Sequence, residues 1–157
     1  MEFGEWLCAN VLKRVPHRHF VFSIPKILRR YSLYDRKPLH DLSRCAWESL
    51  KDFLQGIAHE KNSVPGAVIA IRTFGDLLGF NAHCHILITD GCFCGKGMLR
   101  VAPLLELKKL ETLFRYKIFL CGLPGNPALC SLRQAAGHTP DVTIILILHW
   151  GNGILKI

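Results

Sequence analysis

Acidic side chains are scarce in this sequence. Asp and Glu number 12 against 20 Lys and Arg in 157 residues, a formal net charge of +8 with histidine neutral. That imbalance disfavours cationic partners and favours a polyanion, nucleic acid first. Tyrosine is scarcer still, with three in the chain, Tyr31, Tyr34 and Tyr116. Long apolar runs are missing. The one near the C-terminus, Val142 to Leu148, falls far short of the roughly 20 residues of a membrane span. The opening Met-Glu-Phe-Gly-Glu-Trp lacks the basic-then-apolar pattern of a secretory signal. Seven cysteines, an odd number without framework-like spacing, suit a reducing cytoplasm. The expectation is a cytoplasmic protein with no membrane and no small-molecule substrate. Half the residues are apolar, so wholesale disorder is excluded and one domain can bury a core.

Along the chain, residues 5 to about 14 read as a short helix closed by Pro16. His17 to Ile24 reads as a strand with Phe20, Phe22 and Ile24 on one face and His17, His19 and Ser23 on the other. A basic helical stretch, Lys26 to Tyr34, follows. The clearest helix spans about 39 to 59, where Leu39, Leu42, Ala46, Leu50, Phe53, Leu54 and Ile57 form one apolar stripe. Ala67 to Phe74 is apolar on both faces, as expected of a central strand. His83 to Thr89 is the next strand, Asp90-Gly91 a hairpin signal, and Cys92 to Val101 its return strand. Pro103 opens a helix with Leu104, Leu107, Leu110 and Phe114 inward. After Phe119 only Arg133, Asp141 and Lys156 are charged, and no periodicity persists, so an irregular tail is expected. The order of elements suits an α+β fold, an antiparallel sheet with helices on one face.

His83-Cys84-His85 is the informative triplet. Alternation places the two imidazoles side by side, about 7 Å apart at Cα, with Cys84, Ile86 and Ile88 pointing into the core. The pair therefore faces the open side of the sheet, where two ring nitrogens could share a metal ion. The competing reading is a pair of half-exposed polar residues. His17, His19 and Ser23 of the first strand are expected on the same open face.

This arrangement resembles the HUH nucleases, in which two histidines around a hydrophobic residue bind a divalent metal. Residues 3 to about 119 are similar, more specifically, to the two-tyrosine rolling-circle insertion-sequence transposases of bacteria. Phe3-Gly4-Glu5-Trp6-Leu7-Cys8, Val15 to Lys26, Thr73-Phe74-Gly75-Asp76 and Phe80-Asn81-Ala82-His83-Cys84-His85 carry the resemblance. It implies a ferredoxin-like core and rolling-circle DNA transposition by nicking of single-stranded DNA. In that chemistry a tyrosine attacks a phosphate, leaving a 5′-phosphotyrosine and a free 3′-hydroxyl, while Mg²⁺ or Mn²⁺ polarises the scissile phosphate. His83 and His85 are the implied metal ligands. Asp76 is the candidate third ligand, with an ordinary loop residue as the alternative.

The family's cysteine-rich zinc segment would precede Phe3, and its nucleophilic tyrosines lie beyond the matched region. The expectation is a truncated remnant: a partial HUH domain over 1–119 and a divergent, frameshifted tail over 120–157. Tyr116 has the right order for a nucleophile, 31 residues after His85, but falls before the family's tyrosines; packing is the alternative. Cys92 and Cys94 as zinc ligands beside the histidines require a bulge, since Cys94 would lie diagonal to His85 and Cys92 farther off. Gly91 to Gly97 resembles a phosphate loop but has the wrong spacing before Gly-Lys. Lys13-Arg14, Arg18, Lys26, Arg29 and Arg30 form the densest basic region, and Arg18, Lys26, Arg29 and Arg30 are the candidate contacts to DNA phosphates, with a solvated helical face as the alternative. The rival classes are a non-catalytic single-stranded nucleic-acid-binding module and a degenerate gene product without function.

Overall fold

A computed structural model describes residues 3–24, 29, 32–59, 62–75, 79–95, 97–103, 105–121 and 143–147. The chain folds as α1 (Phe3–Asn10), β1 (His17–Ser23), α2 (Lys37–Ala58), β2 (Ala67–Phe74), β3 (Phe80–Thr89), β4 (Gly91–Cys94), β5 (Met98–Val101), α3 (Leu107–Cys121) and β6 (Thr143–Ile147). Four strands form one sheet in the order β2-β3-β1-β6, and every neighbouring pair is antiparallel. The fold is α+β, as the order of elements implied.

Alternation decides which face is covered. Phe20, Phe22 and Ile24 of β1 and Cys84, Ile86 and Ile88 of β3 are buried on one side. Over them lies α2, whose stripe supplies Leu39, Leu42, Cys45, Ala46, Leu50, Leu54 and Ala58. Pro38 stands in the first turn of α2, where its missing N–H has no helical partner to lose. His59 ends the helix in the left-handed region at φ 53°. Leu110 and Phe114 of α3 complete the layer, with Phe114 edge-on to Phe22 at 4.7 Å between ring centroids. Each such side chain contributes roughly 1.5–3 kcal/mol by burial. The opposite face, bearing His19, Ser23, His83 and His85, is the one α2 and α3 leave uncovered.

Three expectations are corrected. Asp90-Gly91 is not a hairpin turn: β4 leaves the main sheet and pairs with β5, Cys92 opposite Arg100 and Cys94 opposite Met98. The Asp90 carboxylate accepts from Arg18 and its N–H donates to the Pro16 carbonyl, so the chain is tied to the start of β1 at this point. Val64 holds the other edge of β4, exchanging two backbone hydrogen bonds with Phe93. The true reversal is at Gly95 and Gly97, φ 39° and 82°. Second, β2 is an edge strand rather than a central one, leaving Ile69, Ile71 and Phe74 exposed. Third, the tail is not irregular throughout. Its run Thr143–Ile147 pairs with β1 as the other edge of the sheet, and α3 continues past Phe119 to Cys121. No helix among the described residues is long and apolar enough to cross a membrane.

Candidate metal and nucleic-acid site

The site is assembled on β3, the strand between β2 and β1. In the β1–β3 ladder Ser23 stands opposite His83 and Val21 opposite His85, while in β2–β3 Arg72 stands opposite His83 and Ala70 opposite His85. The two imidazoles lie 4.9 Å apart between centroids, and the His19 ring stacks on His85 at 5.1 Å. Adjacency of the pair on a face away from the core, beside β1, agrees with the strand alternation.

The protonation of each ring follows from its partners. His83 Nδ1 lies 2.6 Å from the Asn81 carbonyl oxygen, which can only accept, so Nδ1 carries the proton and Nε2 keeps its lone pair. His85 Nδ1 meets His19 Nε2 at 2.9 Å, and one of the two must donate. His85 Nε2 is buried with no hydrogen-bond partner. A buried orphan N–H is rarer than an orphan acceptor, so the favoured arrangement has His85 Nδ1 donating to His19 and Nε2 left as a bare lone pair. Asn81 Oδ1, two residues before His83 on the same strand face, is also buried without a partner. Two unsatisfied acceptors thus lie on either side of His83 along the strand.

Electrostatics keep His85 neutral. Burial, then the neighbouring charges of His83, His19 and Arg72, push its pKa down to about 4. Burial likewise lowers His17. Cys84, on the core side, has its thiol pushed up to about 12 by burial and is inert as a ligand or nucleophile.

The other candidates separate. Arg29 reaches the site: Nη2 donates to Ser23 Oγ and Nε to the Ile24 carbonyl, both at 3.1 Å. Arg18 does not, since it shares the face of Phe20 and Phe22 and is engaged with Asp90, both side chains mostly buried at 17% and 18% exposure. Its expected role in phosphate contact gives way to a structural ion pair. Lys26, Arg30, Tyr31 and Asp76 lie outside the described residues. Tyr116 is 61% exposed on α3, the helix whose Phe114 packs on Phe22, so the sheet stands between it and the histidines. Cys92 is buried in the core and Cys94 lies on the β4–β5 ribbon, so neither meets the histidines, and a shared zinc site is removed. The Gly91–Gly97 segment is a strand and a tight turn, not a loop before a helix.

Arg72 and Asn81 were not singled out by sequence reasoning. A lone Arg in the otherwise uncharged Ala67–Phe74 strand, and Asn two residues before His83, were the available signals. Among the described residues no group of three or more His, Cys, Asp or Glu is arranged to hold a metal ion. Comparison with known proteins finds no matching family model, no matching curated protein and no matching solved structure.

Proposed function

We propose that this chain is a piece of an HUH-type rolling-circle transposase whose sheet presents a two-histidine metal site to a single-stranded DNA phosphate. The observation that carries the reading is His85 Nε2, buried, unpartnered and beside a His83 ring whose proton is held on Nδ1. A divalent ion binds imidazole through an unprotonated ring nitrogen; with His83 Nδ1 engaged by Asn81 and His85 Nδ1 by His19, the Nε2 atoms are the two nitrogens left to ligate. His83 and His85 would hold it, with Asp76 the candidate for a further ligand. The bound ion would polarise a phosphate and stabilise charge developing on its oxygens. Imidazole is an unusual ligand for the hard Mg²⁺ and suits a borderline ion such as Zn²⁺ better.

The strand order supports the same reading. Leaving aside α1 and the β4–β5 ribbon, the elements run β-α-β-β-α-β, with the last strand beside the first and the third between first and second. That order supports a split βαβ, ferredoxin-like core. The histidines occupy a central strand, and Arg29 with Ser23 supplies donors alongside. Neither Tyr34 nor Tyr116 stands beside the histidines, so neither is proposed as the nucleophile, and the metal-binding half of a DNA transposition site is the part this reading assigns. The rival reading, a non-catalytic single-stranded nucleic-acid-binding module, shares the sheet and the charge but has no need of the unpartnered imidazole nitrogen.

Titration calorimetry with Mn²⁺ tests the site. Wild-type protein is expected to bind one ion, and the His83→Ala/His85→Ala double variant to lose binding while keeping the fold by circular dichroism. Equal heats in the two proteins would remove the metal and leave the nucleic-acid-binding module.

A further inference from the structure

We propose that Arg72 is a phosphate clamp of this site, gripping a single-stranded DNA phosphodiester at His83 from the β2 side, opposite Arg29 on the β1 side. The inference rests on the metal-site reading above and adds a residue that reading does not need. Arg72 is exposed and stands directly across the β2–β3 ladder from His83. Such cross-strand partners share a face, with Cβ atoms about 4.5–5.5 Å apart. Ser23 is the partner of His83 on the other side, and Arg29 Nη2 donates to its hydroxyl. A single row across three strands therefore reads Arg72, His83, Ser23, its end positions roughly 10 Å apart by strand spacing, with the Arg72 guanidinium at one end and that of Arg29 on Ser23 at the other.

None of the described strand positions on this face is Asp or Glu, so no carboxylate of the sheet itself neutralises the row. The guanidinium is a planar fork of donors matched to two phosphate oxygens, and it stays charged at any working pH. A cation so placed opposes a bound metal ion and attracts a bound phosphate. Its removal should therefore weaken DNA binding without weakening metal binding, whereas loss of a residue that merely supports the strand would weaken both.

The experiment compares wild-type protein with Arg72→Gln, Arg72→Lys and Lys108→Gln. Lys108 is exposed on α3, in the layer beyond the sheet, and controls for net charge alone. Each protein is titrated with a fluorescent oligothymidylate over a salt series, and separately with Mn²⁺ in the absence of DNA. Arg72→Gln is expected to weaken DNA binding about tenfold at low salt and to flatten log K against log salt by about 0.7. Its Mn²⁺ affinity should be unchanged or tighter. Arg72→Lys should keep the salt slope and recover only part of the affinity, since an ammonium lacks the fork. A wild-type slope in Arg72→Gln, or an equal loss in Lys108→Gln, overturns the clamp. So does parallel loss of Mn²⁺ and DNA binding, which marks a structural role. If wild-type protein binds the oligonucleotide but no Mn²⁺, the metal reading fails alone, and the slope still decides the clamp.

Discussion

His19 Nε2 and His85 Nδ1 meet at 2.9 Å although the two residues are not cross-strand partners. His19 stands opposite Leu87, and His85 opposite Val21. The contact is diagonal, within reach only of long or ring side chains, and it fixes which nitrogen of His85 is left for a ligand.

Metal affinity should therefore depend on His19. Removing the partner that orients a ligating imidazole commonly costs 10- to 100-fold in affinity. His19→Ala is expected to weaken Mn²⁺ binding by about that factor, and His19→Gln, which can still accept the Nδ1 proton, to recover part of it. Calorimetry that found wild-type affinity in His19→Ala would show that the diagonal contact does not orient the site.

The depressed pKa of His85 has a definite consequence for stability against pH. In the unfolded chain the ring takes up a proton near pH 6.5, whereas in the folded protein burial and the adjacent cations delay this to about pH 4. Below 6.5 the unfolded state binds more protons, so stability falls as acid is added. The contribution is fully present above pH 6.5 and is lost progressively toward pH 4. Urea midpoints for the wild type should drop over that window, and His85→Gln should show a shallower drop. A parallel pair of curves would sink the assignment.

Much of this fold could be read from the amino acids alone, and the failures have physical causes. The α2 stripe and the alternation of β1 and β3 are local periodicities backed by large buried side chains: Phe20, Phe22 and Ile86 are 0% exposed. Periodicity does not say who a strand's neighbours are, so Ala67–Phe74, apolar on both faces, reads as central although it lies at an edge. The Asp90-Gly91 signal failed because Asp90 is held by Arg18 and Pro16, some 70 positions earlier in the chain. Thr143–Ile147 gives no strand signal in the sequence, because a short apolar run carries no strand signature of its own. The histidine pair was legible through alternation alone. The partners that set its protonation were less so: His19 was placed on the face, but Asn81 and Arg72 depend on ladder register.

Two glycines in the β4–β5 region should respond differently to substitution. Gly91 has φ +143°, and a Cβ there would stand 2.0 Å from the Arg100 carbonyl oxygen across the ladder. Backbone cannot yield as a flexible side chain can, so Gly91→Ala should shift β5 or unpair it. Strain of this kind costs on the order of 1–3 kcal/mol or more. Gly95, φ +39°, has nothing within 4 Å of its added Cβ. Gly95→Ala should cost only about 1 kcal/mol, the left-handed penalty for an L-residue. Equal urea midpoints for the two variants would show that the ladder contact at Gly91 is relieved without cost.

Cutting activity is the sharpest test of where the nucleophile lies. Covalent nicking needs an oxygen in line with the phosphate, held within about 3–3.5 Å before attack. Tyr116 sits on α3, and the neighbouring Phe114 packs edge-on against Phe22, on the face of β1 turned away from His83 and His85. Its hydroxyl would have to pass the sheet to reach a phosphate held by the histidines, and that requires unpacking α3 from a core in which Leu110 and Phe114 are 0% exposed. Losing two such anchors costs several kcal/mol, far more than a transient excursion supplies. Tyr34, 95% exposed, precedes α2 and has no described contact with β3. Incubation of the chain with Mn²⁺ and an end-labelled single-stranded oligonucleotide, run on a denaturing gel, should therefore show no protein–DNA adduct through Tyr116. Tyr116→Phe should leave that blank unchanged and shift the melting temperature little, because the hydroxyl is at the surface. An adduct in the wild type that disappears in Tyr116→Phe would mean that α3 leaves the core during turnover and that this chain carries its own nucleophile.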